Sequence, residues 1–306
     1  MAGEPEVPPP HLAAAELLAE EREIGRPAGV PARPTSERIR RVVVYALLIF
    51  VALLFLTPFF WSVSTSLKTL PESVKGFDLL PDNPTLDAYR NAFSQFNFGR
   101  YTANSFGLAI AVTLCNLVLA SVGGYAFARL RFPGREALFM LVLATLMIPD
   151  QLRLVPVFQM LTNWGLVSTY QGYVLINVVT ATNLFLMRQY FLTIPKDYEE
   201  AAKLDGAGYF KTFRKVMLPL AGPALAAVTI LQFQGTWNEF FWPLIILQDE
   251  SKYTLPLGIS TFVGIYDTQW PELMAASVIA ILPVAVIFVL LQRYFIAGVA
   301  AAGVKG

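Results

Sequence analysis

An all-α protein that crosses a membrane six times, with both termini cytoplasmic, is the fold class this sequence predicts. Three observations predict it. Only 15% of the 306 residues are charged and 55% are hydrophobic, against about 25% charge in an average soluble domain, and mean hydropathy is +0.53. The charges crowd into the first 41 residues and a few short islands, leaving long apolar runs between them. Basic residues are also distributed asymmetrically among the islands: with the N-terminus inside, 17 of the 23 lysines and arginines fall on the same side, as cytoplasmic retention of positive charge requires. A net charge of +1 makes no case for nucleic acid.

The elements follow in order. Residues 1–36 are a proline-rich leader, expected to be a disordered cytoplasmic tail, with a short amphipathic helix over His11–Ile24 as the alternative. The leader lacks the apolar centre of a signal peptide. Residues 37–306 form the membrane domain. Val42–Ser66 is charge-free for 25 residues, roughly 38 Å as a helix and more than the hydrocarbon thickness. Tyr101–Ala128 and Leu273–Gln292 are charge-free as well. Leu154–Met187 and Val216–Gln248, the latter broken only by Glu239, exceed one span and must include loop. Ala137–Pro149 spans only if Asp150 and Arg153 lie near its far end or face protein. The spans are therefore placed at about 42–66, 105–128, 137–160, 170–191, 220–246 and 273–295. Outside, residues 67–104 hold a turn cluster, Leu80-Pro81-Asp82-Asn83-Pro84, and an amphipathic piece over Leu86–Phe93.

Two scarce residues exclude whole classes of chemistry. The single histidine, His11, lies in the leader, so neither a buried histidine dyad nor a multi-histidine metal site can be built. The single cysteine, Cys115, has no internal partner and is read as a small packing residue.

The cytoplasmic loop 188–219 is unlike an ordinary connection. Pro195 is placed to open a helix, and Lys196–Leu204 has strong helix formers with Glu199 and Lys203 paired at i, i+4. Gly206 can end that helix in the left-handed conformation. A second helix is predicted over Tyr209–Met217, with Phe210, Phe213 and Met217 on one face and Pro219 as its stop. Ala201 and Ala202 are small enough to admit another surface closely. On physical grounds alone, an amphipathic hairpin resting in the headgroups is an equal alternative.

The wording of the loop resolves the choice. Glu200-Ala201-Ala202, three residues, Gly206, nine residues, Val216, one residue, Leu218-Pro219 resembles the EAA loop of ABC importer permeases, with valine at the usual isoleucine position. From about Arg41 to the C-terminus the chain is similar to the maltose-type carbohydrate branch of that family. Ser64-Thr65-Ser66-Leu67-Lys68, Thr85-Leu86-Asp87-Ala88-Tyr89-Arg90, Ile148-Pro149, Trp237 through Leu244, Tyr253-Thr254-Leu255-Pro256 and Gly303-Val304-Lys305-Gly306 carry the likeness. The leader has no counterpart in it. The resemblance implies the type I importer permease fold and an inner-membrane transport subunit that is not itself an enzyme. It implies two separate ATPase subunits, which would hold ATP and Mg, so that this chain binds no cofactor. A second, different permease, an extracytoplasmic sugar-binding protein and a bacterial or archaeal cytoplasmic membrane complete the implied setting. Glu200, Ala201, Ala202, Asp205, Gly206, Val216, Leu218 and Pro219 would then contact the ATPase, and Lys305 is a further candidate.

Two features of the residues complete the reading. The chain has no phosphate-binding G-x4-G-K-[ST] loop. Glu239 is the acid predicted inside the 220–246 span, beside Trp237, Asn238 and Trp242; ionisable groups at that depth face a bundle interior or water. Planar rings stack on sugars, and Asn and Glu bond to hydroxyls, so these four residues are candidates for a sugar path. The alternative is structural, with Glu239 closing a helix–helix bond or unwinding the span before Pro243. Asp150, Gln151 and Arg153 suggest an ion pair or a bend lining the cavity, with substrate binding as the alternative. A second functional reading is an ion-coupled secondary transporter using Glu239.

Overall fold

The computed structural model describes residues 35–303 except 77, 96 and 265–267. The leader to Pro34 and Lys305 therefore lie outside the described residues. The described chain is helical, and its only β-pairing is an isolated bridge between Val263 and Thr268. The principal helices are α1 (Thr35–Ser66), α2 (Leu70–Ser73), α3 (Asp87–Gln95), α4 (Phe98–Arg129), α5 (Arg135–Met147), α6 (Asp150–Asn163) and α7 (Tyr170–Asn177). They continue with α8 (Ala181–Thr193), α9 (Asp197–Leu204), α10 (Tyr209–Leu220), α11 (Gly222–Trp237), α12 (Phe241–Ile246), α13 (Leu255–Ser260) and α14 (Trp270–Gly303). Two compact units divide within α1, between Thr57 and Pro58. In the first, every described side chain from Ile39 to Thr57 is exposed, as suits a helix whose surroundings are apolar on all sides.

Three helices are long and apolar enough to cross a membrane alone: α1 over Ile39–Ser66, α4, and α14 over Trp270–Leu290. Two bent pairs, α5 with α6 (104°) and α10 with α11 (77°), raise this to five if each counts as one crossing. The sequence predicts 137–160, 170–191 and 220–246 as single helices, and each is broken. At the first break Ile148 is extended (φ −93, ψ 111) because Pro149 disfavours the helical region for its predecessor. At the second, Val178-Val179-Thr180 is a β-branched run, and Thr180 adopts φ −114, ψ 133. At the third, Asn238 sits in the bridge region (φ −90, ψ 0), and Pro243 falls in the first turn of α12, where a missing N–H costs little.

Within the second unit α4 is the central strut, packed along α8 and α11, while α11 also packs along α14. Gly124 permits the α4–α8 approach: a Cβ there would stand 2.6 Å from Met187 Cβ and 2.9 Å from the Arg188 backbone nitrogen. Tyr125, Phe191 and Phe213 form an aromatic knot at the end of this seam, with ring centroids 5.1 to 6.4 Å apart. Cys115 is exposed on α4 and not packed as expected; the helix turns its adjacent residue Asn116 inward instead.

The segment outside the spans is tied down by bonds between the stretches singled out above. Thr85 N–H donates to the Leu67 carbonyl at 2.9 Å, and Ser66 Oγ meets Tyr89 Oη at 2.8 Å. Lys68 is buried and donates to the Asp78 carbonyl. On α3, Ala88 and Ala92 are buried, and Asn91 reaches Glu272 of α14 at 3.0 Å. In the loop before α13, Ser251 donates through its hydroxyl and its N–H, holding the Asp249 carboxyl below the ordinary carboxylate range.

Candidate functional site

Two places combine exposed or cavity-facing polar groups with irregular backbone. The first is the hairpin between α8 and α11. Helix α9 ends as expected: Gly206 has φ +72, its N–H donates to the Lys203 carbonyl at 3.0 Å, and Ala207 N–H donates to Ala202 at 2.9 Å. This is the Schellman pair, which satisfies carbonyls that the helix leaves open and needs a residue free of Cβ strain. The chain then reverses into α10.

The hairpin is anchored from beneath. Arg129, the last residue of α4, has a side chain only 5% exposed and lies 3.8 Å from Glu199. The same guanidinium donates to the Phe191 carbonyl at 2.6 Å and to the Ile194 carbonyl, closing the end of α8. The expected Glu199–Lys203 pair is therefore not made. Glu199 faces the buried Arg129 guanidinium as an ion pair without a hydrogen bond, and Lys203 instead sits 5.9 Å over the Tyr209 ring. Ala202 is buried against this chain, so it is not available to admit another surface, whereas Glu200, Ala201, Asp205 and Gly206 are exposed. Leu204, 90% exposed, and Phe210, 74% exposed, stand outward beside them. Phe210 thus does not share a face with Phe213 and Met217, which enter the core.

Pro219 does not stop the second helix, which runs on to Leu220. A proline in mid-helix clashes with the carbonyl of the preceding turn; here that turn, Phe213–Met217, is widened to π geometry, which relieves the clash. The chain bends at Ala221 and restarts with Pro223 in the first turn of α11. Val216 and Leu218 are partly buried, and Pro219 is exposed.

The second place is a polar cavity of about 590 Å³ on which all three helix breaks converge. Asp150 and Arg153, which form an ion pair, face it from α6. Asn177 and Thr180 face it from the α7–α8 break, and Gln232, Thr236 and Glu239 from α11 and its end. Irregular backbone at membrane depth is tolerated where it lines such a space. Glu239 Oε1 accepts from the N–H groups of Phe241 (2.8 Å) and Trp242 (3.3 Å), capping α12 while it borders the cavity. Trp242 also borders it and is otherwise buried. Trp237 does not: it is buried, stacks on Phe233 at 5.8 Å and donates to the Ala280 carbonyl at 2.9 Å. Asn238 is exposed and is not among the residues around the cavity.

One set of residues escaped sequence reasoning. Asn183 donates to Asn116 and to Gln232, both at 2.8 Å, and Gln232 donates to Thr236 at 3.1 Å, joining α4, α8 and α11 by a buried amide chain. The available signal was neutral amides inside predicted spans, where interhelical hydrogen bonds act as glue; attention to ionisable groups alone passes over them.

Residues 117–300 match the family model described as binding-protein-dependent transport system inner membrane component. An arabinooligosaccharides transport system permease protein of Halalkalibacterium halodurans is 37% identical over 84% of this chain and 94% of its own length. A diacetylchitobiose uptake system permease protein of Streptomyces coelicolor is 34% identical over 86% of this chain and 88% of its own. Among solved structures, a bacterial ABC transporter involved in the import of the acidic polysaccharide alginate has a chain that superposes with TM-score 0.76 and 27% identity. The match covers 87% of this chain and 100% of that one. With its matched domain spanning the hairpin, the cavity and the helices that build both, this chain belongs to the family of binding-protein-dependent transport system inner membrane components.

Proposed function

We propose that the chain forms half of the path of an ATP-driven carbohydrate importer in a bacterial or archaeal cytoplasmic membrane. It crosses six times with both ends inside, the α5–α6, α7–α8 and α11–α12 breaks each interrupting one crossing. The leader 1–36 is a separate cytoplasmic tail, and 37–306 is the transport domain. The observation that carries the reading is the hairpin. Its Schellman-terminated helix presents Glu200, Ala201, Leu204 and Asp205 outward, while Glu199 is held by Arg129 at the end of α4. A force applied to the exposed face therefore reaches α4 through the Glu199–Arg129 ion pair, and α8 through the bonds of Arg129 to the Phe191 and Ile194 carbonyls. Two ATPase subunits, a second and different permease and an extracytoplasmic binding protein complete the machine, and ATP and Mg stay on the ATPases.

The sugar class is supported by relatives named for arabinooligosaccharides, diacetylchitobiose and alginate. A cavity rich in amide and hydroxyl groups, with Trp242 at its edge, is suited to a polyhydroxylated solute. An ion-coupled carrier is disfavoured because the Glu239 carboxylate already serves as a helix cap. The test is reconstitution of the chain with its ATPases, second permease and binding protein in liposomes, with uptake and ATP hydrolysis followed together. Glu200→Lys should insert normally and hydrolyse ATP without uptake. Normal uptake by that variant, or uptake driven by an ion gradient without the ATPases, would sink the proposal.

A further inference from the structure

A cleft of about 850 Å³ opens between the α4–α5 turn and the start of the hairpin, and five cations line it: Arg129, Arg131, Arg135, Lys196 and Lys203. Only two carboxylates, Glu199 and Glu200, share the space. Glu199 lies 3.8 Å from Arg129, and Arg135 is held at 2.7 Å by Glu136, so both those arginines are matched. Arg131, Lys196 and Lys203 are exposed and make no ion pair among the described residues. Against these three cations only the Glu200 carboxylate is left without an ion pair, so the concavity keeps a net positive charge that an anion would relieve.

The position of the cleft identifies the anion. Arg129 ends α4 and Thr193 ends α8, so the cations stand where α4, long and apolar enough to cross a membrane, and the helix packed along it both finish. Phe132 and Leu192 form part of the same wall, and Leu192 is half exposed. An apolar border on one side and a cationic pocket on the other match an amphiphile with a phosphate head. The volume is far larger than a lone phosphate needs and is of the size that holds small molecules.

We infer that this cleft binds the headgroup of an anionic phospholipid, its phosphate between Arg131, Lys196 and Lys203 and its chains along Phe132 and Leu192. The lipid bridges the α4–α5 turn to both ends of α9 and so stiffens the hairpin against the bundle. The inference rests on the membrane-embedded reading of α4 and α8, and its test needs no ATPase.

The test therefore uses the purified full chain alone. Native mass spectrometry from mild detergent would count retained phosphatidylglycerol against phosphatidylcholine offered in equal amount. The expected result is a preference of about tenfold or more for phosphatidylglycerol, since each basic residue at a membrane surface contributes several-fold. The pair Arg131→Glu with Lys196→Glu should abolish it, while Arg131→Lys, a control for folding, keeps it. Millimolar inorganic phosphate should leave the retained lipid unchanged; if it displaces the lipid, the site takes a soluble phosphate anion and the lipid assignment falls. Equal retention of both lipids by the wild type, or an undiminished preference in the charge-reversed pair, overturns the inference.

Discussion

Gly206 offers the most direct test of how the hairpin works. A Cβ built on it would meet nothing within 4 Å, so within this chain only its backbone angle, φ +72, constrains the position. The left-handed region costs an L-residue about 1–2 kcal/mol, less for asparagine, whose side chain bonds locally. Alanine should therefore lower the population of the closed turn by roughly tenfold, and asparagine by less. Proline is held near φ −65° and also loses the N–H that donates to Lys203 at 3.0 Å; its cost is above about 3 kcal/mol, which opens the turn. Because Phe213 and Met217 anchor the hairpin independently in the core, none of these changes should prevent insertion. The assay is sugar uptake per ATP hydrolysed in the reconstituted transporter, and the expected order is Gly, Asn, Ala, Pro, with the proline variant hydrolysing ATP without uptake. An order set by side-chain size, with alanine above asparagine, would show that a partner surface and not the turn demands glycine. Wild-type coupling in the proline variant would refute the role altogether.

Three further outcomes are expected. Glu239→Gln keeps an acceptor for the Phe241 and Trp242 N–H groups, so the thermal midpoint should hold while uptake falls; Glu239→Ala removes the cap and should cost about 1 kcal/mol as well. Unchanged uptake in the glutamine variant would leave Glu239 a structural cap only. Asn183→Leu strands the amide oxygens of Asn116 and Gln232, and thermal unfolding in detergent should show a loss of about 1–3 kcal/mol. Gly124→Ala places a methyl 2.6 Å from Met187 Cβ, and the same assay should register about 1–3 kcal/mol as α4 and α8 separate; an unaltered midpoint would mean the seam is looser than described.

What the sequence determined by itself was what depends on neighbours close along the chain. Long charge-free runs suffice for the membrane class, because transfer into lipid is a sum over residues. The end of α9 was legible because its hydrogen bonds link residues 202 and 203 to 206 and 207, so Gly206 and its spacing carry the whole turn. Tertiary structure alone decided what depends on residues distant in sequence. Glu199 had two possible cations, and burial of Arg129 at the end of α4 selected the remote one. Trp237 and Trp242 are alike as residues in an aromatic run, yet packing against α14 withdraws the first from the cavity and leaves the second at its edge. Pro149 marks a boundary in sequence, but the 104° bend that brings Asp150 and Arg153 to the cavity of Glu239 is set by the packing of the helices that meet there. A single chain position states which groups are available; only the assembled bundle fixes which of them share a cavity and which are used up as partners.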